Sequence, residues 1–313
     1  MNQSLARYAW GVLAYNIFVV LWGALVRATG SGAGCGAHWP LCNGTVLPVM
    51  PQMHTAIEFT HRATSGLALL AVIGLYVWAR RVLPRESSGR RAALFTLIFM
   101  GNETLVGAML VLLGLVAGNQ SPWRAAVLAV HLINTLFLLG SLTLTAWWAT
   151  HGEPRSLAHG SLRRLVYLGI AAVMVLSAAG GVAAVGDTLF PASSVAAGMR
   201  EEFARDAPLL MRLRVLHPVL AIFGGAYLLW FASRHSGNTW SYAVTFCVLI
   251  QFGIGVMNIV LLTPLWTQLA HLLVTDLLWI SLVLFSLTVL ETASAKPADD
   301  RATHPAPALP AAR

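Results

Sequence analysis

The stretch from Glu58 to Trp78, EFTHRATSGLALLAVIGLYVW, sets three ionisable side chains, Glu58, His61 and Arg62, at the head of a long apolar run. Crossing the hydrocarbon core takes about 20 mostly apolar residues, and the run over 54–79 is long enough to do so. A charged side chain at the bilayer centre costs about 2.5–3.5 kcal/mol on insertion scales, so a cluster of them needs a purpose. Further runs of the same kind lie at 8–27, 92–117, 123–149, 163–185, 212–233, 239–261 and 265–290.

Composition agrees with a polytopic membrane protein. Hydrophobic residues make up 57% of the 313 and charged residues only 10%, against about 25% charged in a soluble domain. The net charge of +8 is therefore an orientation signal and not a nucleic-acid signal. The first run is long and lacks a small-residue cleavage site, unlike a signal peptide. No Arg- and Ser-rich transit segment precedes it, which favours a bacterial protein.

With eight spans both termini share a side. On that side fall Arg7, Arg80, Arg81, Arg85, Arg90, Arg91, Arg155, Arg163, Arg164, Arg234, Lys296, Arg301 and Arg313. This majority of the basic residues predicts cytoplasmic termini. The connections over 28–53 and 186–211 then face outward. The Ala/Pro-rich tail over 293–313 is expected to be disordered.

Cys35 and Cys42 lie in the first outward connection, within GCGAHWPLCNG. An oxidising space permits a disulfide between them. The rival is a metal site built with His38, but the spacing is loose for zinc and a fourth ligand is not obvious. Cys247 stands alone in a span and reads as a buried small apolar residue.

The chain repeats itself. LAVHLINTLFLLGSLTL (128–144) aligns with QLAHLLVTDLLWISLVL (268–284), placing His131 on His271. EFTHRATSGLALL aligns with RVLHPVLAIFGGA (214–226), placing His61 on His217 and Glu58 on Arg214. ETLVGAML (103–110) and QFGIGVMN (251–258) align Glu103 with Gln251 and Gly107 with Gly255. WGALVRATG (22–30) and GGVAAVGDT (180–188) align more weakly. The expected fold is all-α: eight transmembrane helices in two pseudo-symmetric four-helix bundles, residues 1–152 and 153–292, related by an axis along the membrane normal.

His61, His131, His217 and His271 thus occupy matched places. His131 is eight residues past Trp123, about 12 Å along a helix, and the other three lie at a similar depth. A lone membrane histidine is commonly an interhelical hydrogen-bonding group. Four at one depth, on equivalent helices, point instead to pairs of axial ligands for b-type haem in a four-helix bundle. Gly66, Gly224 and Gly225 follow these histidines and fit either a flat macrocycle or close helix packing. Arg27, Arg62, Arg124, Arg212 and Arg214 are candidates for pairing with haem propionates, or simply snorkel to the interface.

GALVRATGSGAGCGAHWPLCNG, EFTHR and VHLINTLFLLGSLTLTAWW, with LRVLHPVLA and PLWTQLAHLLVTDLLW in the second half, resemble the heme A synthase family over about residues 8 to 290. The resemblance implies an enzyme of the bacterial inner membrane that oxidises the C8 methyl of heme O to a formyl group, giving heme A for terminal oxidases. It implies that His61 and His131 hold the iron of heme O as substrate and that His217 and His271 hold that of a heme b cofactor. Glu58 matches the family's essential carboxylate, and Cys35 and Cys42 match an outward-loop Cys pair of many bacterial members. The second Cys pair of some members is absent, which excludes a disulfide in the 186–211 connection. Glu103 stands where Gln is more usual. Candidate partners are the heme O-forming farnesyltransferase, oxidase assembly factors, the bilayer and a second copy in a homo-oligomer; the sequence itself selects none of the protein partners.

Glu58 and His61 are i, i+3 and share a helix face, which suits a carboxylate that takes a proton at the rim of a macrocycle. The bland alternative is an ion pair of Glu58 with Arg62. A plain membrane cytochrome with two bis-His haems shares the four histidines but gives Glu58 no task. A transporter fits less well, because the polar residues cluster at one depth instead of tracing a path.

Overall fold

The computed structural model describes residues 2–153 and 156–295. Its elements are α1 (Gln3–Ala28), α2 (Met53–Val82), α3 (Ser88–Leu112), α4 (Pro122–His151), α5 (Ser161–Leu189), the short α6 (Val195–Glu202) and α7 (Leu209–Leu213), α8 (Leu216–Ser233), α9 (Thr239–Val260) and α10 (Leu265–Ala295). No strand occurs among the described residues. Eight helical stretches are long and apolar enough to cross a membrane, the sixth being α7 and α8 together, Leu209–Ser233. The protein is an all-helical, multi-pass membrane protein. Arg155, Lys296, Arg301 and Arg313 lie outside the described residues.

Local chemistry sets the helix ends. Asn2 and Ser87 cap α1 and α3 with side-chain oxygens that accept from Leu5 N and Arg90 N, and Pro122 opens α4 at its first position, where the missing N–H costs nothing. The third span stops at Leu112, five residues short of the expected 117. Gly114 takes a left-handed φ of 62°, and the Leu115 and Gly114 N–H groups bond back to the Leu110 and Val111 carbonyls. Glycine supplies that conformation without strain, so the helix ends there.

The sixth span is broken where the sequence suggests continuity. Pro218 has no N–H to give the Arg214 carbonyl, and its ring crowds that carbonyl. Arg214 O instead accepts from His217 N at 3.3 Å. At the other end of the chain, α10 runs to Ala295, so residues 293–295 are helical and not part of a disordered tail. Residues 296–313 lie outside the described structure.

Apolar side chains cannot drive helices together in lipid as they do in water, so packing and interhelical hydrogen bonds carry the association, at roughly 0.6 kcal/mol per bond on average. Tyr8 donates to Ala71 O, Trp22 to Ile57 O, Tyr227 to Leu165 O and Trp279 to Leu136 O. Helices α1 to α4 neighbour one another, as do α5, α8, α9 and α10, and α1, α4, α5 and α10 also meet across the middle. There Trp279 lies against Gly140, where any side chain would meet the indole at 3.3 Å. Large side chains such as Leu70, Phe95, Phe223 and Phe246 are exposed on the outer faces, as lipid contact requires.

Candidate functional site

Each of the four histidines stands against a glycine on a neighbouring helix. A Cβ at Gly23 of α1 would lie 3.1 Å from His61 Cε1 of α2, and one at Gly107 of α3 would lie 4.0 Å from His131 Cε1 of α4. In the second half a Cβ at Gly180 of α5 would lie 2.9 Å from His217 Cε1 of α8, and one at Gly255 of α9 would lie 3.7 Å from His271 Cε1 of α10. The Gly107–Gly255 match is the one read in the sequence. Gly23 matches Gly180, one residue away from the weak sequence alignment, and Gly181 faces Leu132 instead.

The glycines singled out in the sequence do other work. Gly224 packs against Leu176 and Gly225 against Phe252, closing α8 onto α5 and α9, while Gly66 faces open space. Of the two readings offered for Gly224 and Gly225, helix packing holds.

The second-half imidazoles suit a shared metal. Two rings that hold one metal ion from opposite sides, with nitrogen–metal bonds of about 2 Å, have centres roughly 6 Å apart. The His217 and His271 ring centres are 6.1 Å apart. Nδ1 of His61, His131 and His271 is buried with no hydrogen-bond partner among the described residues, and His217 Nδ1 lies 3.2 Å from Leu176 O. A buried ring nitrogen without a partner is costly in a purely structural role, and none of these Nδ1 atoms is tied up in a way that would keep Nε2 from a metal. The His217–His271 pair therefore fits the group.

Glu58 is buried, with 3% exposure, and both of its oxygens are engaged. Oε2 accepts the Cys35 backbone N–H at 2.8 Å, and Oε1 accepts from Arg62 at 2.5 and 3.1 Å. The ion pair weighed as the bland alternative is thus present. The same Arg62 also donates to the His38 carbonyl and, at 2.6 Å, to the Leu41 carbonyl. Thr55 Oγ1 donates to Gly34 O at 2.7 Å. The loop over 31–45 lies directly on the first turns of α2, and Gly34 admits no side chain because one would run into the His54 carbonyl. Cys35 and Cys42 are joined, S–S 2.02 Å. Their thiols are spent in that bond, which sets aside a metal site with His38.

The arginines are occupied by protein groups. Arg27 of α1 reaches the second half, donating to Ala184 O, Thr188 Oγ1 and Gln268 Oε1 at 2.7–2.8 Å. Arg124 holds the Ala117 and Asn119 carbonyls, and Arg212 those of Ala204 and Arg205. Arg214, at the place equivalent to Glu58, pairs with Asp187 at 3.2 Å and Glu202 at 3.1 Å. The second half therefore has acids nearby, but they are bound to the cation that replaces Glu58.

Two carboxyl groups emerge that the sequence reading leaves without a task. Glu103 Oε1 lies 3.6 Å from His131 Nδ1. Asp276 of α10 is 1% exposed, and its Oδ2 has no partner among the described residues. A carboxyl group inside an apolar span is itself the signal that marks such a residue.

Fold and site together define a polytopic membrane protein with a close pair of intramembrane imidazoles, His217 and His271, and a carboxylate, Glu58, buried under a disulfide loop. Residues 6–283 match the family model COX15-CtaA, cytochrome oxidase assembly protein, and the chain belongs to that family. It is similar to a protein named protoheme IX farnesyltransferase from Thermus thermophilus, with 47% identity over 298 residues, covering 92% of this chain and 49% of that protein. It is also similar to heme A synthases of Halalkalibacterium halodurans, 37% identical over 155 residues, and Alkalihalophilus pseudofirmus, 38% identical over 146 residues. The first match covers 49% of each chain, the second 45% of this chain and 46% of the other. The chain spans about half the length of the curated relatives it matches.

Proposed function

We propose that this chain is a heme A synthase, oxidising the C8 methyl group of heme O to the formyl group of heme A. His61 and His131 would hold the substrate iron, and His217 and His271 would hold a heme b. When bound, the haem groups supply the redox-active iron and conjugated ring on which the oxidation depends. The protein's own part is to orient the macrocycle, keep water out and handle protons.

The observation that carries this reading is the asymmetry at matched sites. Both halves set two histidines against glycines, but of the matched places one turn before His61 and His217 only the first carries a buried carboxylate, Glu58. In the second half the same place holds Arg214, tied to Asp187 and Glu202. Glu58 is the group that accepts a proton from the methyl, or from the water added to it. Its burial beneath the disulfide loop keeps that proton transfer away from bulk solvent. The neighbour pattern of the helices supports two four-helix halves, and the basic residues support cytoplasmic termini in a bacterial inner membrane.

The Thermus relative adds a partner. A protein named for farnesylating protoheme IX contains a stretch similar to nearly the whole of this chain within half its length. We read it as two successive steps joined in one polypeptide, so this chain works beside the farnesyltransferase that makes its substrate.

Haem extraction from the purified protein tests the reading. Heme O or heme A beside heme b supports the synthase. Heme b alone, at two per chain, overturns it in favour of an electron-transferring cytochrome. Replacing His217 or His271 with Ala should remove a low-spin b-type spectrum while the protein still inserts.

A further inference from the structure

We infer that Glu103 is a positioning residue for His131, accepting the proton-bearing Nδ1 of that imidazole and making it a stronger donor to iron than its counterpart His271. The inference rests on the reading of His131 as an axial ligand. An imidazole that gives Nε2 to a metal keeps its proton on Nδ1, and that N–H then needs an acceptor. His131 Nδ1 is buried without a hydrogen bond among the described residues. Glu103 Oε1 is the carboxylate oxygen that faces it, at 3.6 Å, a few tenths of an ångström beyond a hydrogen bond.

The carboxyl group is held for that purpose. Asn134 Nδ2 lies 2.5 Å from Oε2 and also donates to Phe99 O at 2.9 Å. Thr135 Oγ1 lies 2.6 Å from Oε1. Helix α4 thus clamps the α3 carboxylate through the residues that follow His131 by three and four positions, all on one face.

The second half keeps the framework and replaces the carboxyl group with an amide. Gln251 replaces Glu103 and bonds to Thr275 Oγ1 at 2.5 Å and to the His271 carbonyl at 3.0 Å. Asn134 has Val274 as its counterpart. The carboxylate and the amide that orients it are therefore present together in the first half and absent together from the second. A carboxylate on the outer nitrogen of a ligating imidazole increases its basicity and so favours the oxidised metal. The two halves are given unequal ligand strength by two linked differences at matched places, Glu103 against Gln251 and Asn134 against Val274.

The test is a reciprocal swap in the full-length protein, purified with its haem and followed by optical redox titration. The component lost in His217→Ala marks the second half. Glu103→Gln should raise the midpoint potential of the first-half haem, by about tenfold in the oxidised-to-reduced ratio, or ~59 mV for one electron, and leave the other unmoved. Gln251→Glu together with Val274→Asn, which restores the orienting amide, should lower the second-half potential by a similar factor. If Glu103→Gln loses its haem, the double variant Gln251→Glu, Val274→Asn decides alone. Loaded protein whose potentials stay put in the variants overturns the inference while leaving the ligand assignment intact. A wild-type first half that never carries haem overturns the ligand reading, and this inference with it.

Discussion

The backbone N–H of Cys35 donates to Glu58 Oε2 at 2.8 Å, across 23 residues of sequence. One half of a disulfide thereby fixes the carboxylate proposed to do the chemistry. The disulfide loop and the site are a single construction: Arg62 closes it from the other side, holding Glu58 Oε1 and the carbonyls of His38 and Leu41.

Breaking the Cys35–Cys42 bond should therefore loosen the site before it unfolds the protein. Closing so short a loop restricts the unfolded chain by roughly 2.5 kcal/mol on the entropy model. Cys35→Ala with Cys42→Ala should lower thermal stability and heme O occupancy while the second-half heme b stays. Of the three cysteines, only Cys247 should react with a thiol label in denatured, non-reduced protein. Labelling of all three would remove the disulfide from the account.

The glycines behind the histidines give a graded prediction. A methyl group at Gly180 would sit 2.9 Å from the His217 ring and one at Gly23 would sit 3.1 Å from His61, both too close to be absorbed without moving the imidazole. At Gly255 and Gly107 the distances are 3.7 and 4.0 Å, ordinary contact. Gly180→Ala should deplete heme b several-fold, and Gly255→Ala should leave it near normal, as read by haem per mole of folded protein. Equal effects at the two positions would mean that the glycines serve general packing.

How much of this is legible in the sequence follows from the physics of each feature. The eight spans and the matched histidines are readable because apolar run length and residue spacing are local properties of a helix. The break before α8 follows from Pro218, but the apolar run continues through it and masks the interruption. The weak alignment misses the glycine behind His217 by one residue, since Gly180 and Gly181 are equivalent in sequence and only the packing of α5 decides which faces the ring. The hold of Cys35 on Glu58 joins a loop backbone to a helix side chain, and no sequence pattern encodes such a contact. Asp276 is visible in the apolar run, but it has no acidic counterpart in the first half to draw attention to it.

Glu153 gives a pH dependence away from the membrane. It accepts the Ser88 N–H at 2.8 Å and the Gly89 N–H at 3.3 Å, at the start of α3. Burial pushes its pKa up, but the hydrogen bonds from Ser88 and Gly89, together with Arg91, outweigh that and hold it below the usual value. A depressed folded-state pKa means stability that is complete above the ordinary glutamate value of about 4.3 and lost as pH falls through the lower one. Glu153→Gln should reduce thermal stability at neutral pH and flatten its decline with acid. A decline with the same slope in both proteins would rule Glu153 out as a contributor.

Glu58 offers the sharpest test, because its two partners separate chemistry from structure. Glu58→Gln keeps the volume and an oxygen able to accept from Cys35, so the loop should stay closed and heme b should bind normally to His217 and His271. If Glu58 moves a proton in the reaction, its loss should cost on the order of 10²–10⁴-fold in rate, and heme O or an alcohol intermediate should accumulate with heme A nearly absent. Arg62→Gln removes the ion pair and also releases the His38 and Leu41 carbonyls, so it should lower protein yield and loop order more than Glu58→Gln does. It leaves the carboxylate in place, so the protein that does fold should retain appreciable turnover. The measurement is the haem composition of cells carrying each variant, set against the amount of folded protein. If the two variants behave alike, losing yield but making heme A at the wild-type rate per molecule, Glu58 is only the anchor of the loop and the carboxylate has no part in the oxidation.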